Sequence, residues 1–398
     1  MSEHFGAFIY QGNIKSCQID SLQNPSVKSE SNFSTNQFDT IESRWLRYDA
    51  GSDTFLFCAV PKGSEWRYLY SLSPKTSTLT QLSDVDTYNG QWLPGDRGYT
   101  YVGNNSNHFY FAVCPKNAGD KTNLFLNGAV ANYTIAPSGD RIYITGSANI
   151  EPQSIWEYNI PQHHLRCLVP GIDHPFAVFQ SIEPRELRLT AADGVAFTSF
   201  VFPPRAIPGM SKHPLVIGIP APSAQAQKTY GTQSQLLPNL GFEVVAVNYR
   251  GVDGYGRKFS SLKDDAKAAG DVITAYHELL KDSSIDANNV FLFDTSGGSA
   301  VTTELVAQHP ELWRGIVLDH SALSFGGLDT QKTPPIFYFT GDQDSVRGSL
   351  QALEAWGKQN NVKVSGIVWP HTGHYLWKTD ELRETGRQIL AFYYENMK

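Results

Sequence analysis

The second half of the chain alternates short apolar runs with amphipathic stretches of helical length. The apolar runs span residues 214–219, 243–249, 290–293, 315–319, 335–339 and 364–369. The stretches with helical periodicity lie near residues 264–281, 299–309, 348–359 and 380–396. Continuous apolar runs are typical of strands buried on both faces, and their alternation with helices predicts a mostly parallel sheet flanked by helices.

The first half of the chain has a different pattern, with short alternating strands broken by turns and no helix-length amphipathic stretch. Three stretches, beginning at Trp45, Trp92 and Tyr133, share an aromatic start, an Asp/Gly turn and an alternating apolar strand, and each is followed by a further strand. Their spacing of about 40 to 50 residues is typical of β-propeller blades. A weaker fourth unit occupies residues 5–40.

These two patterns predict two domains, which the length of 398 residues accommodates. We expect residues 1–176 to form an all-β, small or incomplete propeller-like domain of about four blades, and residues 177–398 to form the α/β domain. A β-sandwich whose strands repeat by chance is the alternative for the first domain.

Composition narrows the class of partner. The net charge of -7 argues against nucleic acid or an anionic membrane surface as the main partner. No run is apolar and long enough to span a bilayer, and the start of the chain lacks the features of a secretory signal. The cysteines are widely spaced, with no metal-type clustering. We therefore expect a cytoplasmic protein.

The stretch Asp294-Thr-Ser296-Gly297-Gly298 holds the strongest chemical motif. An apolar run ends in a serine flanked by small residues, and a helical pattern begins at once, which is typical of a nucleophile elbow. The N–H of Gly297 and the start of the helix would face an oxyanion. Asp294 occupies the first place of the Gly-x-Ser-x-Gly pattern, where glycine is usual. The alternative is an ordinary Ser/Gly-rich turn of an α/β domain.

Two later strand ends supply the partners that such a serine needs. Asp344 follows the next-to-last strand and His374 follows the last one, which gives the chain order Ser, Asp, His of α/β hydrolases. A histidine takes the proton of the serine, and a carboxylate fixes the imidazole tautomer and stabilises its charge. Taken singly, Asp344 is typical of a turn and His374 of a solvated loop, but three matches at successive strand ends argue against coincidence.

Other polar residues follow strands of the same predicted sheet. Tyr249, Asp319 and His320 are candidate pocket residues. Asp319 is a rival for the carboxylate role, and His320 is a candidate second acid or base. His371 is a weaker rival of His374. For these rivals the pattern favours a supporting role, such as a hydrogen-bonded structural group, over catalysis.

From about residue 178 onward, the chain resembles the prolyl oligopeptidase family of serine hydrolases. Arg250-Gly-Val-Asp-Gly-Tyr-Gly-Arg-Lys-Phe259 is similar to that family's Arg-Gly-x-x-Gly-Tyr-Gly-x-x-Phe stretch. Gly341-Asp-Gln-Asp344 resembles its acid loop, and Pro370 followed four places later by His374 resembles its histidine loop. The resemblance implies an α/β-hydrolase domain behind a propeller, and acyl transfer to water from peptides, esters or amides.

Carried over to this sequence, the resemblance makes Ser296 the nucleophile, His374 the base and Asp344 the orienting acid, with the Gly297 N–H as one oxyanion donor. The family usually has His or Tyr before Gly-Gly-Pro where this chain has Ile219-Pro-Ala-Pro222. The Ala221 N–H is the aligned second donor. Loss of one such donor costs about 3–4 kcal/mol of transition-state stabilisation. This departure shifts the expected substrate from peptides in general toward a smaller molecule.

Three hypotheses follow. The first is a serine hydrolase, needing neither metal nor cofactor, that cleaves an ester, amide, lactone or short peptide bond of a small substrate. The second keeps the triad for non-hydrolytic acyl transfer, condensation or cyclisation of a small-molecule, natural-product intermediate in a water-poor pocket. The third is an inactive, hydrolase-like binding scaffold. The sequence leaves open whether the chain forms a homo-oligomer.

Overall fold

The computed structural model of the protein describes residues 4–10, 13–19, 27–34, 36–42, 46–49, 52–105, 108–116, 121–124, 129–147, 153–171, 181–222, 232–376 and 378–398. The chain divides into two compact units. The first comprises Met1–Ile172 together with Gly254–Lys258, and the second comprises Asp173–Asp253 together with Phe259–Lys398. Among the described residues, no helix has the length and apolar character that a membrane span requires.

The described part of the first unit consists of strands, β1 to β16, which form four antiparallel sheets. These strands are β1 His4–Tyr10, β2 Asn13–Ile19, β3 Val27–Ser34, β4 Phe38–Ile41, β5 Arg47–Asp49, β6 Thr54–Pro61, β7 Tyr68–Ser73, β8 Thr78–Gln81, β9 Asp86–Leu93, β10 Gly98–Asn105, β11 His108–Pro115, β12 Thr122–Leu124, β13 Ala129–Ile135, β14 Arg141–Ser147, β15 Ser154–Asn159 and β16 His164–Val169. The sheets consist of β1–β3, β4–β8, β9–β12 and β13–β16, so each is built from consecutive strands.

Hydrophobic clusters join successive sheets of this unit. Leu56 of β6 packs with Tyr101 of β10, while Val102, the next residue of β10, packs with Ile144 of β14. Because side chains alternate between the faces of a strand, β10 contributes to the cluster on either side of its sheet. Sheets covered on both faces give the propeller-like arrangement that the sequence repeats predict.

The second unit contains one eight-stranded sheet in the order β17-β18-β20-β19-β21-β22-β23-β24. Its strands are β17 Arg185–Thr190, β18 Ala196–Phe202, β19 His213–Ile219, β20 Glu243–Val247, β21 Ile285–Thr295, β22 Gly315–Asp319, β23 Ile336–Gly341 and β24 Val364–Trp369. Its helices are α1 Thr232–Asn239, α2 Arg257–Ser260 (which begins within the segment grouped with the first unit), α3 Asp265–Leu279, α4 Ser299–Gln308, α5 Arg347–Asn360 and α6 Thr379–Asn396. Neighbouring strands in the part of the sheet with the order β20-β19-β21-β22-β23-β24 are parallel. The β17–β18 hairpin pairs antiparallel with β20 at one edge of the sheet.

The predicted fold class is confirmed: a propeller-like all-β region precedes a mostly parallel sheet with helices. Strands β19 to β23 are apolar because they are buried on both faces; Phe291 and Val317, for example, lie in one core cluster with Phe392 of α6. The predicted helices correspond to α3, α4, α5 and α6. Helix α1 was not predicted, since its sequence, TQSQLLPN, is short and carries a proline at position 238.

A buried ion cluster fixes the chain just after β20. The guanidinium of Arg250, in the Arg-Gly motif, donates to both oxygens of Asp271 at 2.9 and 2.6 Å, and Asp271 is fully buried. The same guanidinium donates to the carboxylate of Asp193 at 2.5 and 2.9 Å. Its hydrogen bonds lower the pKa of Asp193 to about 2. Removing one partner of a buried pair such as Arg250–Asp271 costs about 3–5 kcal/mol of stability. Arg250 of the motif therefore stabilises the fold around the end of β20.

Candidate active site

Ser296 lies on the sharp turn between β21 and α4. Residues Ser296–Gly298 form one turn of 3-10 helix, and α4 begins at Ser299. The backbone of Ser296 has a φ of 53°, in the left-handed region that a residue with a Cβ seldom adopts. A Cβ built on Gly298 would lie 2.7 Å from the Ile219 carbonyl oxygen. The turn therefore needs glycine at this place, which explains the small residues after the serine.

Ser296, His374 and Asp344 are hydrogen-bonded in series. The Oγ of Ser296 lies 3.0 Å from Nε2 of His374, and Nδ1 of His374 lies 2.9 and 3.1 Å from the two carboxylate oxygens of Asp344. An ionised carboxylate only accepts hydrogen bonds, so Nδ1 carries the proton and Nε2 is free to accept one from Ser296. This is the arrangement in which an imidazole removes a proton from serine.

Further donors hold the carboxylate of Asp344 in place. Its oxygens accept from the Thr340 hydroxyl at 3.0 Å and from the Val346 N–H at 3.1 Å. Burial by itself raises the pKa of Asp344, but the hydrogen bonds from Val346, His374 and Thr340 outweigh burial and lower the pKa below its usual value. The group is therefore a carboxylate at neutral pH.

The loops that carry Asp344 and His374 are joined through their backbones. The N–H of Asp342 donates to the Trp369 carbonyl at 2.9 Å, and the N–H of Gln343 donates to the Thr372 carbonyl at 3.0 Å. A Cβ built on Gly341 would lie only 1.9 Å from the Thr372 oxygen. Glycine at 341 is therefore required for the close approach of the two loops. Sequence reasoning identified Asp344 and His374 but not this junction, whose local signal is the Gly-Asp pair after the strand.

The segment proposed to hold the second oxyanion donor lies against the elbow. A Cβ built on Gly297 would lie 3.2 Å from Cδ of Pro222 and 3.8 Å from the Cβ of Ala221. Tyr249 is buried outside the active-site cavity, and its hydroxyl donates to the Pro220 carbonyl at 2.5 Å. Tyr249 thus supports the segment that carries Ala221.

Asp294, at the place where the motif usually has glycine, lies beneath the elbow. Its side chain is fully buried, and neither carboxyl oxygen has a hydrogen-bond partner among the described residues. Burial raises its pKa well above the usual value, although the nearby hydroxyls of Thr302 and Ser321 oppose the shift. A Cβ on Gly298 would lie 2.7 Å from Oδ1 of Asp294. Asp294 therefore fills space under the turn, and its burial favours the protonated form.

Asp319 and His320 form a second carboxylate–imidazole pair. Nδ1 of His320 lies 2.6 Å from Oδ1 of Asp319. The imidazole is buried, and its Nε2 has no hydrogen-bond partner among the described residues. The ring centroids of His320 and His374 are 5.3 Å apart, so the two imidazoles are neighbours. The rival residue His371 is exposed.

A cavity of about 550 Å³ opens onto Ser296 and His374. This is within the usual size range of ligand sites. Its described lining residues are Pro220, Ala221, Leu236, Leu237, Thr295, Ser296, Asp319, His320, Phe339, His374, Tyr375, Leu376, Leu382, Thr385, Gly386, Ile389 and Leu390. The polar residues come mainly from loops at the strand ends, whereas helices α1 and α6 contribute almost only apolar groups. The lining is therefore polar near the strand ends and apolar along α1 and α6.

The fold and this geometry define the class. A parallel sheet carries a serine on a strand-to-helix turn, and an aspartate and a histidine follow its last two strands, as in α/β hydrolases.

Comparison with known proteins agrees with the resemblance to the prolyl oligopeptidase family. Residues 228–332 match the model of the prolyl oligopeptidase family of peptidases. An uncharacterized peptidase of Bacillus subtilis is 26% identical over 185 residues, which cover 45% of this chain and 28% of that protein. The human acylamino-acid-releasing enzyme is 26% identical over 167 residues, which cover 40% of this chain and 22% of that enzyme. The chain therefore matches about a quarter of the length of these curated relatives.

Solved structures agree with this assignment at the level of the fold. A puromycin-hydrolyzing peptidase of Mycobacterium tuberculosis superposes with a TM-score of 0.73 at 15% identity, covering 96% of this chain and 66% of that one. A puromycin hydrolase superposes with a TM-score of 0.71 at 13% identity, covering 98% of this chain and 78% of that one. The family model at residues 228–332 and the named relatives are of the prolyl oligopeptidase and peptidase type, which confirms the resemblance seen in the motifs of this chain.

Proposed function

We propose that this protein is a serine hydrolase in which Ser296 is the nucleophile, His374 the general base and Asp344 the orienting acid. The observation that carries the proposal is the hydrogen-bonded series, with 3.0 Å between Ser296 Oγ and His374 Nε2 and 2.9 Å between His374 Nδ1 and Asp344 Oδ2. Both distances are within the reach that proton transfer requires.

In the acylation step, the Oγ of Ser296 attacks the substrate carbonyl carbon while its proton passes to Nε2 of His374. The imidazolium is stabilised by the carboxylate of Asp344. Collapse of the tetrahedral intermediate breaks the bond to the leaving group, which takes the proton from His374. Water then attacks the acyl-enzyme by the same route, releasing a carboxylic acid and restoring the Ser296 hydroxyl.

The developing oxyanion is assigned to the N–H groups of Gly297 and Ala221. The approach of Pro222 and Ala221 to Gly297 supports this assignment. Prolines at 220 and 222 lack N–H groups, so this segment offers one backbone donor where a glycine-rich segment offers several. We expect weaker oxyanion stabilisation and hence a preference for activated or small substrates.

The substrate class is an ester, amide, lactone or short peptide bond of a small molecule. Several relatives and structural neighbours are named for peptidase, acylamino-acid-releasing or puromycin-hydrolysing activity. Amides of amino acids and short, N-acylated peptides are therefore the first compounds to screen.

The test is covalent labelling by a fluorophosphonate probe, read by intact mass. Wild type should gain one adduct, and Ser296→Ala should gain none. Ser299→Ala is a matched control, because it removes a serine hydroxyl three residues further on, and it should label like wild type. A folded wild type that takes no label would contradict the hydrolase and favour an inactive scaffold.

A second candidate, acyl transfer to an amine or alcohol, is favoured by the Asp319–His320 pair beside His374. The acceptor nitrogen or oxygen would attack the acyl-enzyme carbonyl and give its proton to Nε2 of His374, and His374 would return that proton to Ser296 Oγ as the ester bond to the enzyme breaks; His320 would lie beside the acceptor. Product analysis with graded concentrations of a primary amine distinguishes the two. Hydrolysis gives mainly acid, whereas a transferase gives mainly amide at millimolar amine.

A further inference from the structure

One face of α6 lines the active-site cavity. The residues on this face recur at the i, i+3, i+4, i+7 and i+8 positions of a helix; they are Leu382, Thr385, Gly386, Ile389 and Leu390. Leu236 and Leu237 of α1 line the same cavity. The Thr385 hydroxyl already accepts a hydrogen bond from the Trp369 indole at 2.9 Å. This part of the cavity therefore offers apolar surface.

Gly386 is the unexpected member of this face. It lies in the middle of an eighteen-residue helix and is not among the glycines with positive φ, so its backbone does not need glycine. A mid-helix glycine destabilises a helix relative to alanine. A Cβ built on it would lie 3.8 Å from Cδ2 of Leu236, at ordinary contact distance. What glycine provides here is space between α6 and α1.

The charge of the lining residues also favours an apolar ligand group. No lysine, arginine or glutamate occurs among the described lining residues, and the one carboxylate, Asp319, is paired with His320 at the polar end. Two apolar or aromatic lining residues are exposed, Leu382 with 45% and Tyr375 with 64% of its surface. An uncharged, apolar group fits this surface better than a polar or ionised one.

We propose that the cavity binds an extended apolar chain of the substrate between α1 and α6, and that Gly386 keeps this site open. The inference rests on the proposed function only in placing the scissile carbonyl at Ser296. The chain belongs either to the acyl group or to the leaving group, and both offer the same apolar chemistry to the site.

The experiment uses two series of esters, one with acyl chains from acetyl to decanoyl and one with alcohol chains of the same lengths. In the series that enters the cavity, kcat/KM of wild type should rise about fourfold per methylene until the space is full, since burial of one CH2 contributes about 0.8 kcal/mol. Gly386→Leu should lose this rise, so that its ratio of kcat/KM between the longest ester and the acetyl ester falls at least tenfold below that of wild type. Gly386→Ala should lie between them.

Gly270→Leu is the matched control. Gly270 lies within α3, and a Cβ there meets no atom within 4 Å. It should keep the wild-type chain-length profile in both series. Flat profiles in both series for wild type, or unchanged profiles in Gly386→Leu, would overturn the proposal.

A binding measurement separates this inference from the proposed function. Ser296→Ala should bind either N-octanoylglycine amide or N-acetylglycine octylamide more tightly than N-acetylglycine amide in calorimetry, and Ser296→Ala/Gly386→Leu should lose the difference. Binding does not require catalysis, so this measurement can be interpreted even if the fluorophosphonate test fails. Equal affinity for all three amides in Ser296→Ala would reject the apolar site even if Ser296 is labelled.

Discussion

Two carboxylate–imidazole pairs lie at the carboxyl ends of neighbouring strands, and only one of them has a complete set of partners. In the pair Asp344–His374 the second imidazole nitrogen lies 3.0 Å from Ser296. In the pair Asp319–His320 the second nitrogen is buried without a partner among the described residues. The residue types are the same in both pairs and all four residues lie at or just after strand ends, but each imidazole reaches a different group.

The carboxylates differ as well. Asp344 is buried and has donors from Thr340 and Val346 in addition to His374. Asp319 is adjacent to its histidine in sequence, keeps 21% of its side chain exposed and contacts the imidazole through one oxygen. A carboxylate held by several donors orients an imidazole more strictly than one with a single contact. This difference supports the proposal that the first pair is catalytic and that the second has a pocket role.

The largest expected effect separates the two carboxylates. Asp344→Asn should lower kcat/KM on a small ester by about 10³–10⁴-fold, because the amide no longer selects the productive imidazole tautomer. Asp319→Asn should lower it by less than about tenfold. Steady-state kinetics on both variants, with circular dichroism to verify folding, measures this. Equal losses in the two variants would contradict the different roles proposed for the two carboxylates.

The next effect concerns the support of Asp344. Thr340→Val should lower kcat/KM about tenfold and the free energy of unfolding by about 1–2 kcal/mol, since it removes one hydrogen bond to a buried carboxylate. Thr274→Val is the control: it removes a threonine hydroxyl that donates to the Gly270 carbonyl at 2.9 Å on an exposed part of α3. Equal changes of kcat/KM and of the free energy of unfolding in the two variants would contradict a role of the Thr340 hydroxyl in holding Asp344.

A smaller effect is expected at His320. His320→Asn should leave ester hydrolysis within about threefold of wild type, because the Ser296–His374 contact is retained. If the pair assists an acyl acceptor, the ratio of amide to acid formed with added amine should fall by about threefold. A loss of hydrolysis as large as that of His374→Ala would make His320 a member of the catalytic set.

The smallest effect is on the acid dependence of stability. The pKa of Asp344 is lower in the folded protein than its usual value, so the folded state binds fewer protons than the unfolded chain between about pH 5 and pH 3. The stability that Asp344 contributes is present above its unfolded pKa and is lost as the pH falls through the folded pKa. Asp344→Asn should therefore show a shallower loss of unfolding free energy over this range in urea titrations, whereas identical slopes would contradict the shift.

Much of the fold could be predicted from the local pattern of apolar and polar residues. Apolar runs and helical periodicity predicted β19 to β24 and the helices α3 to α6, and repeated aromatic-turn-strand units predicted successive sheets in the first unit. Helix α1 was missed because it lacks a periodic apolar pattern and ends beside a proline. The close contact of Gly341 with Thr372 was also missed, because nothing in either stretch alone indicates that the two loops meet.

Local periodicity and backbone preferences were enough to predict the succession of strands and helices along the chain, the serine turn and the residue types at each strand end, and the motif order already favoured His374 over His320. The three-dimensional structure adds the 3.0 Å contact of His374 with Ser296, the donors to Asp344 from Thr340 and Val346, and the space that Gly386 leaves opposite Leu236. Hydrogen-bond distances, burial and cavity shape arise from residues far apart in the chain. No local pattern encodes them, so they appear only when the sheet has brought those residues together.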